Sequence, residues 1–366
     1  MAENQNWPNA VRVVWSSGGG VVAINNQGPE VVIGAGIDGA VWASFTIPSY
    51  NSLFAKLRKE GLPTFGATFI QSPEEFDGTY PPEFRAMNMH NGWLLSDMRQ
   101  QWRGIAHAAG ESNEMALFDI ASRIASGLNY SEMRLRDLAE AYSVQLRAKA
   151  RSKKIDKYSR FKDLNSHAVY KSIHALFWEL AVLRDVLAEF AALVCFGISK
   201  VATMSGLIGS LRKKPYDDVL ATQLLRDADN INNGWLNEFS EYRNLFTHSA
   251  PMEQAAGIAF TVQDTLTLAC GVVVPQIYYP LPANVSELVR KRSSGPLYEI
   301  FDALANASAG RRPERGTEPD ALQYLWACLD KLAELAKVLV IRSPIEPKRM
   351  EFGPHNIIGD VQVIQL

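Results

Sequence analysis

The alternation of apolar and polar residues divides the chain into two regimes. From Val11 to about Ile70, short β-branched and aromatic runs (VRVVW, VVAI, EVVIG, AVWASFTI) are separated by Gly, Asn and Pro, the signature of strands joined by turns. Within that stretch only residues 50 to 60 have a helical period. The segment QSPEEFDGTYPPEF, residues 71 to 84, concentrates Pro, Gly and acids and predicts a loop closing the β-rich region, with a domain edge there.

Beyond it the period becomes helical. Helices are predicted over about 93–109, 113–127 and 131–154, the last with Leu135, Leu138, Tyr142 and Leu146 three or four residues apart. The longest stripe follows: Val169, Ile173, Leu176, Leu180, Leu183, Leu187, Phe190, Val194, Ile198 and Val201 keep a 4,3 spacing, with only the step from Val194 to Ile198 out of turn. Such a stripe must bury against other helices. Gly206 and Gly209 are predicted to end it, and Asp217 or Asp218 after Pro215 to cap the next helix. That helix is expected to reach His248, with a break in the NINNG stretch at 230–234 and a stop at Pro251. A last helix is predicted over about 318–341, with Pro319 in its first turn.

Four long amphipathic helices imply a bundle. Residues 257 to 279, with alternating Ile258, Phe260 and Val262, predict a small hairpin inserted in it. The expected fold class is therefore α+β: a β-rich N-terminal domain at 1–130, a mainly α-helical bundle at 131–345, and a C-terminal tail at 346–366, for which a strand is one reading.

Composition narrows the class. The 366 residues are 47% hydrophobic and 21% charged, which excludes disorder and a disulfide-stapled miniprotein. A net charge of −2 excludes a protein that coats nucleic acid by bulk charge. Cys195, Cys270 and Cys328 form no CxxC pair, so a reduced compartment is expected, and neither metal nor cofactor is. The start MAENQNWPNAV does not read as a signal peptide. The most apolar run, residues 186 to 198, is too short to span a bilayer and contains Glu189. A cytoplasmic protein with no membrane partner is the expectation.

Candidate chemistry concentrates in EYRNLFTHSAP, from Glu241 to Pro251. On a helix, Asn237, Glu241, Asn244 and His248 share one face, opposite Trp235, Phe239, Tyr242 and Phe246, and Arg243 flanks the polar face. A histidine in a last helical turn titrates near neutrality, because the negative end of the macrodipole favours the imidazolium. An arginine beside it gives two-point contact to phosphate and stabilises charge on a pentacoordinate phosphorus. These are parts for metal-free RNA cleavage, in which the ribose 2′-hydroxyl attacks the adjacent phosphate. A second feature is RAKARSKKIDKYSRFKD at 147–163, with eight basic residues against Asp156 and Asp163. Arg151, Lys153, Lys154, Lys157, Arg160 and Lys162 are candidate phosphate contacts there, and Tyr158 a candidate stacking residue.

The hexapeptide Arg243-Asn244-Leu245-Phe246-Thr247-His248 resembles the R-(N/D/H)-x3-H form of the motif of the HEPN superfamily, at its usual place late in the second long helix of a bundle. The resemblance extends over about 131–341 and leaves the first third unexplained. It implies Arg243 and His248 as catalytic pair with Asn244 in support, and Glu241 or Glu238 as an acid ahead of the arginine. It further implies an endoribonuclease leaving cyclic phosphate and 5′-hydroxyl ends, and a homodimer whose two motifs form one RNA-cutting site. Members include toxins, abortive-infection and CRISPR-associated ribonucleases, so bacterial defence or a toxin system is the implied setting. The N-terminal domain would then be a sensor or regulatory element for a phage-derived trigger or a regulatory partner. The alternative is a non-catalytic RNA- or protein-binding module.

Competing motifs are weaker. Arg85 and His90 share the same five-residue spacing, but Ala86 follows the arginine. Gly34, Gly36 and Gly39 spell GxGxxG, yet AVWASFTIP after them is strand-like and offers no helix N-terminus to a pyrophosphate. Ser16-Ser17-Gly18-Gly19-Gly20 reads as a turn. His167 and His174, seven apart, share a helix side without a completing ligand set, and His107 can pair locally with Arg103.

Overall fold

The computed structural model describes residues 7–16, 19–36, 39–90, 92–151, 157–231, 234–249, 261–282, 285–294 and 319–348. The expected strands form one antiparallel sheet of β1 (Val11–Ser16), β2 (Val22–Asn25), β3 (Glu30–Gly34), β4 (Val41–Thr46), β5 (Thr64–Ile70) and β6 (Glu83–Ala86), in the order β4-β3-β2-β1-β5-β6. Helix α1 (Leu53–Lys59) links β4 to β5, and the loop expected at 71–84 contains a short helix α2 (Pro73–Phe76) before β6. Ser72 caps α2 and Glu75 reaches back to the cap, a reciprocal pairing that the SPEE sequence encodes. No helix follows Gly39: β4 begins at Val41 and pairs with β3, so the GxGxxG match is a hairpin connection.

The remainder consists of α3 (Leu94–Glu111), α4 (Met115–Arg151), α5 (Leu164–Phe190), α6 (Met204–Lys213), α7 (Val219–Asp227), α8 (Trp235–Asn244), α9 (Val285–Ser294) and α10 (Ala321–Ile341). π-helical turns extend α5 over Ala191–Cys195 and α8 over Leu245–Ser249. β7 (Ser159–Phe161), β8 (Thr261–Thr267) and β9 (Val273–Tyr278) form a second sheet in the order β7-β8-β9. The predicted hairpin is thus joined by a third strand from within the basic segment, while residues 257–260 of that prediction lie outside the described residues. Of the tail at 346–366, residues 349–366 lie outside them too. Among the described residues no helix is long and apolar enough to cross a membrane.

Several boundaries differ from the sequence expectation, each for a local reason. The helices expected at 113–127 and 131–154 are the single helix α4. Gly127 does not end it; a Cβ there would stand 3.2 Å from Leu183 Cδ1, so the glycine sits where α4 and α5 approach closely. The α5 stripe is fully buried from Val169 to Phe190, and the out-of-turn step at Val194 falls in the π-helical turn. Gly206 and Gly209 lie inside α6, which Thr203 caps; the chain leaves the α5 axis earlier, at Gly197, whose φ is +62°. Asp218 caps α7 as expected, through Leu220 N–H at 2.7 Å. Asp320, not a first-turn Pro319, caps α10.

The boundary expected at residue 130 falls inside α4, and one hydrophobic cluster runs from Val14 in β1 to Leu339 in α10. Three contacts show why. Glu132 of α4 accepts the Ala86 N–H of β6 at 2.7 Å and pairs with Arg99 of α3 at 2.9 Å. Trp326 of α10 donates to the Met87 carbonyl at 2.7 Å. The β1–β2 turn is wedged against the helical half: Ile277 N–H of β9 donates to the Gly19 carbonyl, and a Cβ on Gly19 or Gly20 would strike the backbone of Ile277 or Tyr142. Both glycines have positive φ, 51° and 86°, a region that favours glycine.

A polar network ties the small sheet to the bundle. Buried Gln145 of α4 donates to Asp163 and Ser166 at the start of α5 and accepts from the Tyr279 hydroxyl. Asp320 Oδ1 accepts from the Tyr142 hydroxyl at 2.9 Å and the Tyr279 N–H at 2.8 Å. Burial pushes the Asp320 carboxyl up to about 6, against those hydrogen bonds. An acid that holds its proton to higher pH in the folded chain loses stabilising effect as pH rises from 3.8 to about 6, by about 3 kcal/mol, and stays constant above. An asparagine in its place does not titrate; its single oxygen can serve either the Oδ1 donors or the cap bond from Gln323 N–H at 3.2 Å, which sets a constant offset without changing the pH dependence. Urea denaturation across pH 4–7 should therefore show Asp320→Asn gaining on the parent by about 3 kcal/mol between those limits. Parallel stability curves would refute this.

Candidate functional site

Helix α8 is short and amphipathic. Leu236, Phe239 and Tyr242 are buried, and Leu245 and Phe246 continue that face through the π-helical turn. They close around Phe177 of α5, whose ring centroid lies 5.7 Å from Phe239, 5.3 Å from Phe246 and 6.1 Å from Tyr324 of α10. The Tyr242 hydroxyl donates to the Pro282 carbonyl at 2.7 Å. Further along, the buried Arg184 guanidinium donates to Ser240 Oγ at 2.9 Å and to Asp185. α8 thus runs antiparallel to α5, and its C-terminal end meets His174, whose ring is 5.6 Å from Phe246. Burial lowers the His174 pKa, which favours its neutral form.

Arg243 leaves α8 on the polar side and is half-buried. Its guanidinium carbon lies 5.9 Å from the ring centroid of Trp178, and its NH1 donates to Asn244 Oδ1 at 3.0 Å. Asn244 is exposed and Trp178 is 53% exposed, so this cation rests on an indole at the rim of the bundle. The backbone of His248 lies in the π-helical turn; its side chain lies outside the described residues. In a straight α-helix positions 243 and 248 would be about 140° apart at 100° per residue. An i→i+5 turn is wider and draws position 248 back towards the side of Arg243.

The two acids part company. Glu241 accepts from the Ser286 hydroxyl of α9. Glu238 lies towards α10: burial raises its pKa, opposed by the charge of Lys331 and reinforced by that of Glu241. Both engage groups on other helices, so their expected role in support of the arginine shifts towards holding α8 in place. In the basic segment Arg151, Lys157, Arg160 and Lys162 are exposed. Lys153 and Lys154 lie outside the described residues. Tyr158 is half-buried with φ +61°, and its N–H donates to the Gln263 carbonyl at 2.8 Å, so it serves as a turn residue at the small sheet. Lys149 lies 4.9 Å from the Phe161 ring centroid.

Of the competing histidines, His107 faces Glu111 at 3.6 Å instead of Arg103, and His167 is exposed. Arg85 pairs with Glu83 at 2.8 Å on β6. Among the described residues no group of three His, Cys, Asp or Glu side chains could hold a metal ion. Sequence reasoning missed Trp178 and Ser286. Trp178 carried a signal, since it stands off the apolar stripe of α5 and is still aromatic; Ser286 carried none. No family model, no curated protein and no solved structure matches the chain.

The packing around Phe177 generates a direct test. Phe177→Ala should cost about 3–5 kcal/mol in denaturant unfolding, and Phe177→Leu markedly less. A loss for the alanine variant as small as an exposed-site substitution would remove Phe177 from the centre of this cluster.

Proposed function

We infer that the chain is a metal-independent endoribonuclease of HEPN type, working as a homodimer in the cytoplasm. The observation that supports this best is the juxtaposition at the end of α8: Arg243, bound to Asn244 and resting on Trp178, next to a π-helical turn that contains His248. Such turns are frequent at functional sites. In this reading the imidazole of His248 takes the proton from a ribose 2′-hydroxyl. The oxygen bonds to the adjacent phosphorus, and the bond to the 5′-oxygen breaks. That oxygen leaves with a proton delivered by an imidazolium of the dimer. Arg243 stabilises the charge on the phosphorane, and Asn244 orients the guanidinium. The products are a cyclic phosphate and a 5′-hydroxyl, in a setting of bacterial defence or toxin action. The N-terminal sheet, sharing the core of the bundle, would pass a regulatory signal through packed structure and not through a flexible linker.

Purified protein incubated with total RNA in EDTA should yield cyclic-phosphate ends. Arg243→Ala should lower the rate about 10²–10³-fold and His248→Ala about 10²–10⁴-fold, with unchanged thermal unfolding. Full activity in either variant, or loss of activity in EDTA, would reject the mechanism. Tight RNA binding with no cleaved product would make the chain a non-catalytic binding module.

A further inference from the structure

The face shared by α4 and α5 contains a groove of about 360 Å³ that the motif does not account for. Arg134, Asp137, Ala141 and Val144 line one wall, and Asn165, Ala168, Lys171 and Ala175 the other. Each set recurs at three or four residues, one helix face apiece. Continuing the α5 set by three positions reaches Trp178, on which Arg243 rests. Continuing the α4 set by seven positions reaches the exposed Arg151. The helices are antiparallel here, since Gln145 bonds Ser166 at one end and Gly127 meets Leu183 at the other. The groove therefore begins at the basic end of α4, beside exposed Lys162, and points at the candidate site. From Asn165 to Trp178 it covers roughly 20 Å at 1.5 Å per residue, the length of several nucleotides.

The groove walls are electrically balanced, Arg134 and Lys171 against Asp137 and Glu140, and the basic character lies at the entrance, where Arg151, Lys157 and Lys162 are exposed. Asp137 is engaged by Arg134 at 3.3 Å and Arg136 at 3.4 Å. Glu140 is then the remaining carboxylate on the walls, against an exposed Lys171. At the far end Trp178 offers an exposed π-surface next to a cation that can hold phosphate, the pairing of platform and charge that single-stranded nucleic acid requires. Duplex RNA shows no splayed bases for such a platform.

Building on the ribonuclease reading, we propose that single-stranded RNA reaches Arg243 along the α4/α5 groove, its backbone passing Lys171 and one base stacking on Trp178 beside the scissile phosphate. Trp178 is then a positioning residue that sets which nucleotide is cut, and Lys171 a phosphate contact.

The test uses the full chain with His248→Ala, which should bind without cutting, and a short fluorescein-labelled single-stranded RNA read by anisotropy over a salt series. Adding Trp178→Ala should weaken binding about tenfold, and Trp178→Phe should restore most of it. Lys171→Glu should weaken binding and make the salt dependence shallower by about one phosphate contact. Both side chains are exposed, so circular dichroism melts should match the parent. In the cleaving background, Trp178→Ala should shift the preferred cut site. If the unsubstituted protein cleaves RNA while both variants bind and cut like it, the path is wrong and the ribonuclease reading stands. If the unsubstituted protein neither binds nor cuts RNA, both fall. Trp178→Ala that breaks self-association with RNA affinity intact would make this face a protein contact and overturn the path.

Discussion

The placement of everything near the candidate site depends on aromatic packing between α5 and α8. α8 is ten residues long, too short to hold a helical conformation by itself in water. It persists because Phe239, Tyr242 and Phe246 bury their rings against Phe177, with Tyr324 of α10 closing the cluster. Ring pairs of this kind add to the area they bury by preferring particular relative angles. They therefore fix the rotation of α8 about its axis as well as its position. That rotation decides that Arg243 emerges beside Trp178 at the rim and that Glu238 lies towards Lys331 of α10. The polar rim inherits its geometry from the apolar interior behind it.

The same continuity governs the relation between sheet and bundle. An independent N-terminal domain would present its own closed core and a linker. Here one face of the six-stranded sheet contributes Val14, Ala23, Val31 and Ile33 to the cluster that also holds the α5 stripe, and the other face retains a satellite of Val13, Val22, Ile24 and Ile70. The β1–β2 turn, tight enough to require two left-handed glycines, is fixed by a backbone bond to β9. Arg12 shows what the sheet gives up in burying a polar side chain. Its guanidinium is held by Asn25 and the Tyr50 carbonyl with the Tyr50 ring 3.5 Å away, and burial lowers its pKa to about 10.

How much of this could be read from residue order follows from what each signal measures. Strands and the stripes of α4, α5 and α10 were legible because period-2 and period-3.6 burial leave direct traces in the pattern. The continuity of α4 was not, because Gly127 carries the same letter whether it ends a helix or admits Leu183. The single core was also illegible, since a shift from strand-like to helix-like composition says nothing about whether the two parts pack on each other. At the site, RNLFTH located Arg243 and Asn244, yet the groups that engage Glu241 and Glu238 lie far along the chain, on α9 and α10. Local spacing cannot report such pairings. Trp178 carried a signal as an aromatic off the apolar stripe of α5, but residue order gave it no role, which comes from the approach of Arg243 on α8.

The π-helical turn at Leu245–Ser249 is where apolar packing and polar rim meet. A wider turn at the end of a helix gives up good hydrogen-bond geometry, so packing must compensate. Leu245 and Phe246, at 2% and 4% exposure, supply that compensation by staying in the apolar cluster while the chain after them changes phase. A straight α-helix could keep Phe246 on Phe177, but it would leave the fifth position after Arg243 well round the axis. Widening the turn keeps the apolar anchor and brings position 248 back towards the arginine. The poorer backbone geometry and the position of residue 248 relative to Arg243 are thus two results of one phase change, driven by burial on one side of the helix.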